Sequence, residues 1–148
     1  MVIVLVQNRS RVGNDSKYPT DGLLIWHVDA TLDGTGQFLW NNSYTAHKLL
    51  RLMEADGREE IEKGFRADAG DFYDRTDVFS PTSKPNSKNY AGLSTGVIVN
   101  NLSAGGATMT ADIKIGPVVT YYAINGGAAE TTTNKVTLNN TVTGTPTH

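Results

Sequence analysis

Four aspartates, Asp68, Asp71, Asp74 and Asp77, recur every third residue in one stretch of this 148-residue chain. Calcium, the hard cation such a run suits, takes six to eight oxygens from carboxylates, carbonyls and water at about 2.3–2.6 Å. A glycine-containing acidic loop supplies both the oxygens and the sharp turn. Asp68 and Asp71 are the first candidate ligands and Asp74 the next, with Asp56 and Asp29 reaching in from nearby strand ends. The run does not match the helix-flanked twelve-residue calcium loop. Its competing reading is a solvated loop whose Asp side chains cap turns.

A second constellation is His27, Asp29, His47 and Glu54. Two imidazoles and a carboxylate are a zinc ligand set in principle. The reading preferred here is a His–Asp hydrogen bond that ties a long loop to a sheet, because no water-activating group accompanies the pair at a clear spacing. Nucleophilic catalysis has no support: no serine lies in a Gly-x-Ser-x-Gly turn, and Gly34-Thr-Gly36 lacks the helix and Lys-Ser/Thr of a phosphate cradle. Phe38, Trp40 and Tyr44, on the loop from Ala30 to Ala46, could instead face a peptide or a carbohydrate.

These groups need strands to hold them. Val2–Asn8 reads as a strand buried on both faces, since five consecutive apolar residues suit that environment. In Leu23–Val28 the alternation puts Leu23, Ile25, His27 and Asp29 on one face and Leu24, Trp26 and Val28 on the other. Lys48–Glu54 is a third strand, and Arg58–Lys63 carries the one helical signal. Gly96–Asn101 and Ala107–Ile115 flank Ser103-Ala-Gly-Gly106 as a hairpin, with Met109, Ala111, Ile113 and Ile115 on its buried face. Fifteen glycines and many Thr and Asn favour strands and turns. The predicted class is all-β, a β-sandwich of jelly-roll type with long loops and at most one short helix.

The net charge of −2 gives no broad attraction to nucleic acid or anionic lipid. No run approaches the roughly 20 apolar residues that span a bilayer. The chain lacks cysteine, which removes disulfides and thiolate sites without fixing a compartment. It opens directly into a strand, as an excised fragment with an added start Met would. At Gly116-Pro117 the character changes, and a linker is expected there. The division predicted is 1–115, one β-domain, and 116–148, the opening hairpin (Val118–Ile124, Thr131–Leu138) of a following module cut short.

In order, Val6-Gln-Asn-Arg9, Gly22-Leu-Leu-Ile-Trp-His-Val-Asp29, His47, Glu54-Ala-Asp-Gly57, Asp68-Ala-Gly-Asp71, Tyr90-Ala-Gly92 and Gly96-Val-Ile-Val-Asn-Asn-Leu-Ser103 resemble the immune inhibitor A family of secreted metallopeptidases. The match covers about 1–115, and 116–148 resembles the start of an immunoglobulin-like module. What the resemblance implies is the region that follows the zinc-binding catalytic part. The His-Glu-x-x-His helix that would hold zinc is absent, because Val28 follows His27, Lys48 follows His47 and His148 is the last residue. Phe72-Tyr-Asp-Arg75 also replaces the Pro-Gly turn that often follows the family's acidic loop. The expectation is therefore a non-catalytic, secreted β-domain whose partner is its own upstream catalytic lobe, with calcium as its ion and zinc only in the missing part. The sequence decides neither substrate nor oligomeric state, monomer or swapped dimer.

Overall fold

The computed structural model describes residues 2–43, 46–116 and 132–139, the last of these as backbone alone. Among the described residues, six strands form two antiparallel sheets. The first holds β1 (Val2–Arg9), β2 (Gly22–Asp29) and β3 (Leu50–Leu52) in that order, and the second holds β4 (Val97–Asn100), β5 (Thr108–Ile115) and β6 (Thr132–Asn139). The all-β class is as composition and patterning predict. Each sheet is a meander in chain order, so no crossover of jelly-roll type occurs among the described strands. No described helix is long and apolar enough to cross a membrane.

Register follows the apolar alternation. Val4 lies opposite His27 and Val6 opposite Ile25, which sends Leu23, Ile25, Val4 and Val6 into one core with Met109, Ala111 and Val99 from the other sheet. β1 departs from its predicted two-sided burial. It is an edge strand, so Val4 and Val6 face the core while Leu5 points outward, about half exposed. Ile115, predicted on the buried face of β5, is also exposed, at the far end of the strand. The third strand shrinks to three residues. The helical signal over 58–63 becomes a single 3-10 turn at Ile61–Lys63, ended by Gly64 in a left-handed conformation.

β6 pairs with β5 from Thr108 opposite Asn139 to Ile115 opposite Thr132. The predicted strand at Val118–Ile124 lies outside the described residues.

The Asp-rich segment is the seam between the sheets. At one end Tyr73 exchanges both backbone hydrogen bonds with Leu23 of β2, at 2.9 Å each. At the other Phe79 does the same with Val99 of β4, at 2.9 and 2.8 Å. Tyr73 and Phe79 are both about 1% exposed and meet edge to face, centroids 6.1 Å apart. Between them the Asp77 N–H donates to the Asp74 carbonyl, and the Asp74 N–H donates to Asp77 Oδ2 at 2.9 Å. Asp74 and Asp77 thus build the turn that lets one short segment bond to both sheets.

Candidate metal centre

Glu54 ends the third strand's path, Asp56 lies in the turn beyond it, and Asp68–Asp71 form a 3-10 turn packed alongside. Two backbone hydrogen bonds fix the turns together: Ala55 N–H to the Asp71 carbonyl at 3.1 Å and Asp56 N–H to the Gly70 carbonyl at 3.0 Å. Carboxylate oxygens of Glu54, Asp56 and Asp71 consequently lie within 4.8 Å of one another, as do those of Asp56, Glu60 and Asp68. Asp56 belongs to both groups, so two three-carboxylate clusters adjoin through it, and each could hold a metal ion.

Most of these oxygens already accept hydrogen bonds. Glu54 takes the N–H groups of Glu60 (2.6 Å) and Ile61 (3.0 Å). Asp68 Oδ1 takes Gly70 N–H at 2.6 Å, and Asp71 Oδ2 takes Asp68 N–H at 2.7 Å, a reciprocal capping box. Asp56 accepts from Arg58 N–H at 3.0 Å. Asp71 Oδ1 and Glu60 Oε2, however, are buried without any hydrogen-bond partner. Asp71 is about 1% exposed, so its free oxygen cannot turn to solvent. A buried carboxylate oxygen without a donor is costly, and a cation is the partner its surroundings of Glu54 and Asp56 favour.

Electrostatics point the same way. Burial pushes the Asp71 carboxyl up to about 6; the Asp68 N–H opposes this, and Glu54, Asp68 and Asp56 add to it by repulsion. Positive charge at the centre reverses that repulsion. Space is tight as well: a Cβ at Gly70 would stand 2.8 Å from Asp56 Oδ2 and 3.0 Å from Asp68 Oδ1. Gly70→Ala is therefore expected to weaken any cation binding at these carboxylates by about tenfold or more while the fold persists. Competition with a fluorescent calcium chelator measures this, and an unchanged affinity places the ion elsewhere.

Of the predicted ligands, Asp56 lies in both clusters, Asp71 in the one with Glu54 and Asp68 in the one with Glu60. Asp74 lies in neither, since it serves the seam turn and pairs loosely with Arg75. Asp29 is also outside the centre. Its Oδ1 accepts from Thr31 N–H at 3.1 Å and its Oδ2 lies 2.8 Å from His47 Nε2. Glu54 and Glu60 complete the acidic centre, and neither was among the predicted ligands.

The His–Asp lock forms as expected and extends into a stack of rings. His47 stacks between Trp40 (3.7 Å) and Tyr90 (3.9 Å), and Tyr90 also stacks on His27 (4.9 Å). Tyr90 thus contacts both imidazoles, His47 Nε2 is taken by Asp29, and Glu54 is turned onto backbone N–H groups. Among the described residues no candidate metal group includes a histidine. Burial would raise the Asp29 carboxyl, but the hydrogen bonds from Thr31 and His47 outweigh it and hold its pKa below the ordinary value.

The long loop is shorter than it reads. Asp33 Oδ1 accepts the N–H groups of Thr35 (2.8 Å) and Gln37 (3.0 Å), closing a small hairpin in which Leu32 bridges Phe38. Phe38 is exposed at its base, Trp40 is committed to the stack, and Tyr44 lies outside the described residues.

His27 carries a pH dependence. Burial lowers its pKa below 6.5; Asp29 opposes this, while Arg51 and His47 add to it. The folded state then stays neutral where the unfolded chain takes up a proton, so stability falls as pH drops below 6.5. Relative to the native chain, His27→Gln is expected to flatten that fall in melting temperature between pH 7 and 5. A parallel decline in both proteins contradicts it.

Where the sheets diverge, a cleft of about 890 Å³ opens between Val2, Val4 and Val6 of β1 and Val97, Val99 and Ile113 of β4 and β5. Its polar end carries Asp29, His47 and Tyr90. Comparison with protein-family models, with curated proteins and with solved structures finds no match to this chain.

Proposed function

We propose that this chain is a non-catalytic β-domain of a secreted zinc metallopeptidase, serving as a scaffold for the catalytic lobe and stabilised by calcium at the Glu54/Asp56/Glu60/Asp68/Asp71 centre. The observation that carries the ion is Asp71 Oδ1, buried and unpartnered among carboxylates. The ordered resemblance over 1–115 supports the parent family. His47 Nε2 on Asp29 and the Glu54 carboxylate on backbone N–H groups support a structural use of these side chains. The apolar cleft between β1 and β4–β5 offers the surface on which the upstream lobe would rest. Calcium acts by binding the folded state alone, and it joins the turn after β3 to the start of the seam that bonds both sheets.

The test is melting in calcium against melting in chelator, with a casein cleavage assay in zinc on the same sample. The reading expects a rise in melting temperature with calcium and no cleavage. Zinc-dependent proteolysis by the pure chain would overturn the scaffold role.

A further inference from the structure

Beside the ring stack, Arg51, Lys84 and Lys88 line a cavity of about 430 Å³ that also holds His27. Glu59 is the acidic residue in its wall, and its Oε1 pairs with the Arg51 guanidinium. Among the described residues, Lys84 and Lys88 have no carboxylate partner.

The neutral groups in the wall are lopsided in the same sense. Asn86 Oδ1 accepts Lys88 N–H at 3.0 Å and Asn89 Oδ1 accepts Leu93 N–H at 2.8 Å, which orients both amides and leaves their N–H₂ groups without an acceptor. Tyr90 Oη accepts Lys48 N–H at 3.2 Å and keeps its own proton to donate. His27 is about 4% exposed, and its Nε2 is buried without a partner. The Asn86, Asn89 and Tyr90 oxygens accept inside the fold and their N–H₂ and O–H donors are left over, beside two ammonium groups without a carboxylate partner. Gly57, at φ +66°, lets the turn lie directly on the Lys84 backbone, where a Cβ would come within 3.3 Å.

We propose that this cavity binds a tetrahedral oxyanion, phosphate or sulfate, free or as the end of an ester. Arg51, the residue suited to grip a planar carboxylate with two parallel bonds, is already engaged by Glu59. What remains are point-charge ammoniums and separate single donors, which match a ligand with three or four oxygens. The proposal is independent of the metal centre and of the parent family.

The experiment is an NMR titration of the full chain at fixed ionic strength, with and without calcium, using inorganic phosphate, inorganic sulfate and acetate. Saturable shifts of the Asn86 and Asn89 side-chain amides are expected, with phosphate or sulfate bound at least about tenfold more tightly than acetate. Lys84→Gln/Lys88→Gln changes two exposed side chains and should weaken binding by about tenfold at unchanged melting temperature. Tighter binding of glucose 6-phosphate or glucose 6-sulfate than of the free ion supports an ester as the source, and equal binding supports the free ion. Shifts that rise without saturating, equal binding of acetate, or an unweakened double variant each overturn the proposal.

Discussion

Asp71→Asn is expected to abolish the calcium-induced rise in melting temperature while leaving the chelated protein at least as stable as the native one at pH 7. Asparagine keeps the oxygen that caps Asp68 N–H but removes the charge at the buried position. An ion present at a thousandfold excess over its dissociation constant stabilises by roughly 4 kcal/mol. For a domain of this size that corresponds to a shift on the order of 10 °C. The metal-free protein behaves oppositely. The Asp71 carboxyl has a folded pKa of about 6 against 3.8 as the ordinary value, so the folded state holds its proton longer than the unfolded chain. This group's contribution to stability is therefore greatest at low pH and is lost as pH rises through about 6. In chelator the native protein should gain stability from Asp71 on acidification from pH 7 to 5, and Asp71→Asn should lack that gain. Equal calcium shifts in the two proteins would exclude Asp71 as a ligand.

Phe79→Ala is expected to cost about 3–5 kcal/mol, the range for truncating a buried phenylalanine, and to lower the melting temperature on the order of 10 °C or more. Phe79 is about 1% exposed, packs edge to face on Tyr73, and occupies the point where the seam bonds to β4. Its loss opens a cavity between the sheets and loosens the segment that carries Asp68 and Asp71. Calcium affinity should fall along with stability. A loss below about 1 kcal/mol would show that the sheets do not depend on the seam.

The strands were legible because their apolar residues alternate and because glycine-rich turns bound them. The face assignments in β2 follow directly from Leu23, Ile25, His27 and Asp29. β1 misled because an unbroken apolar run says nothing about whether a strand lies at an edge, which depends on its partners elsewhere in the chain. The acidic site was legible in part for a similar reason. Aspartates three apart match the reach of a side chain back to a backbone N–H, and both pairs do this: Asp71 to Asp68 and Asp77 to Asp74. The spacing that suggested ligands therefore reports capping. Only tertiary packing against the turn after β3 turns the first pair into an acidic centre and leaves the second as a turn. Glu60 escaped notice because a charged run such as Arg58–Lys63 reads as solvated helix, and Glu54 groups in the sequence with His27, Asp29 and His47 instead. The available signal was the Glu54–Gly57 turn, whose acidic residues at 54 and 56 precede Glu60 by one tight reversal.

The His27–Asp29–His47 constellation shows how far residue types alone can lead. The composition of the group permits zinc, whereas in the structure His47 Nε2 meets Asp29, Tyr90 packs on both imidazoles, and Trp40 covers His47. Tyr90 comes from a loop distant in sequence, and no local spacing announces it.

Calorimetric titration of the intact chain with calcium at neutral pH tests the central claim most directly. One saturable site is predicted, lost in Asp68→Ala/Asp71→Ala. An absence of saturable heat in the native chain, or a double variant that binds as the native does, would contradict it.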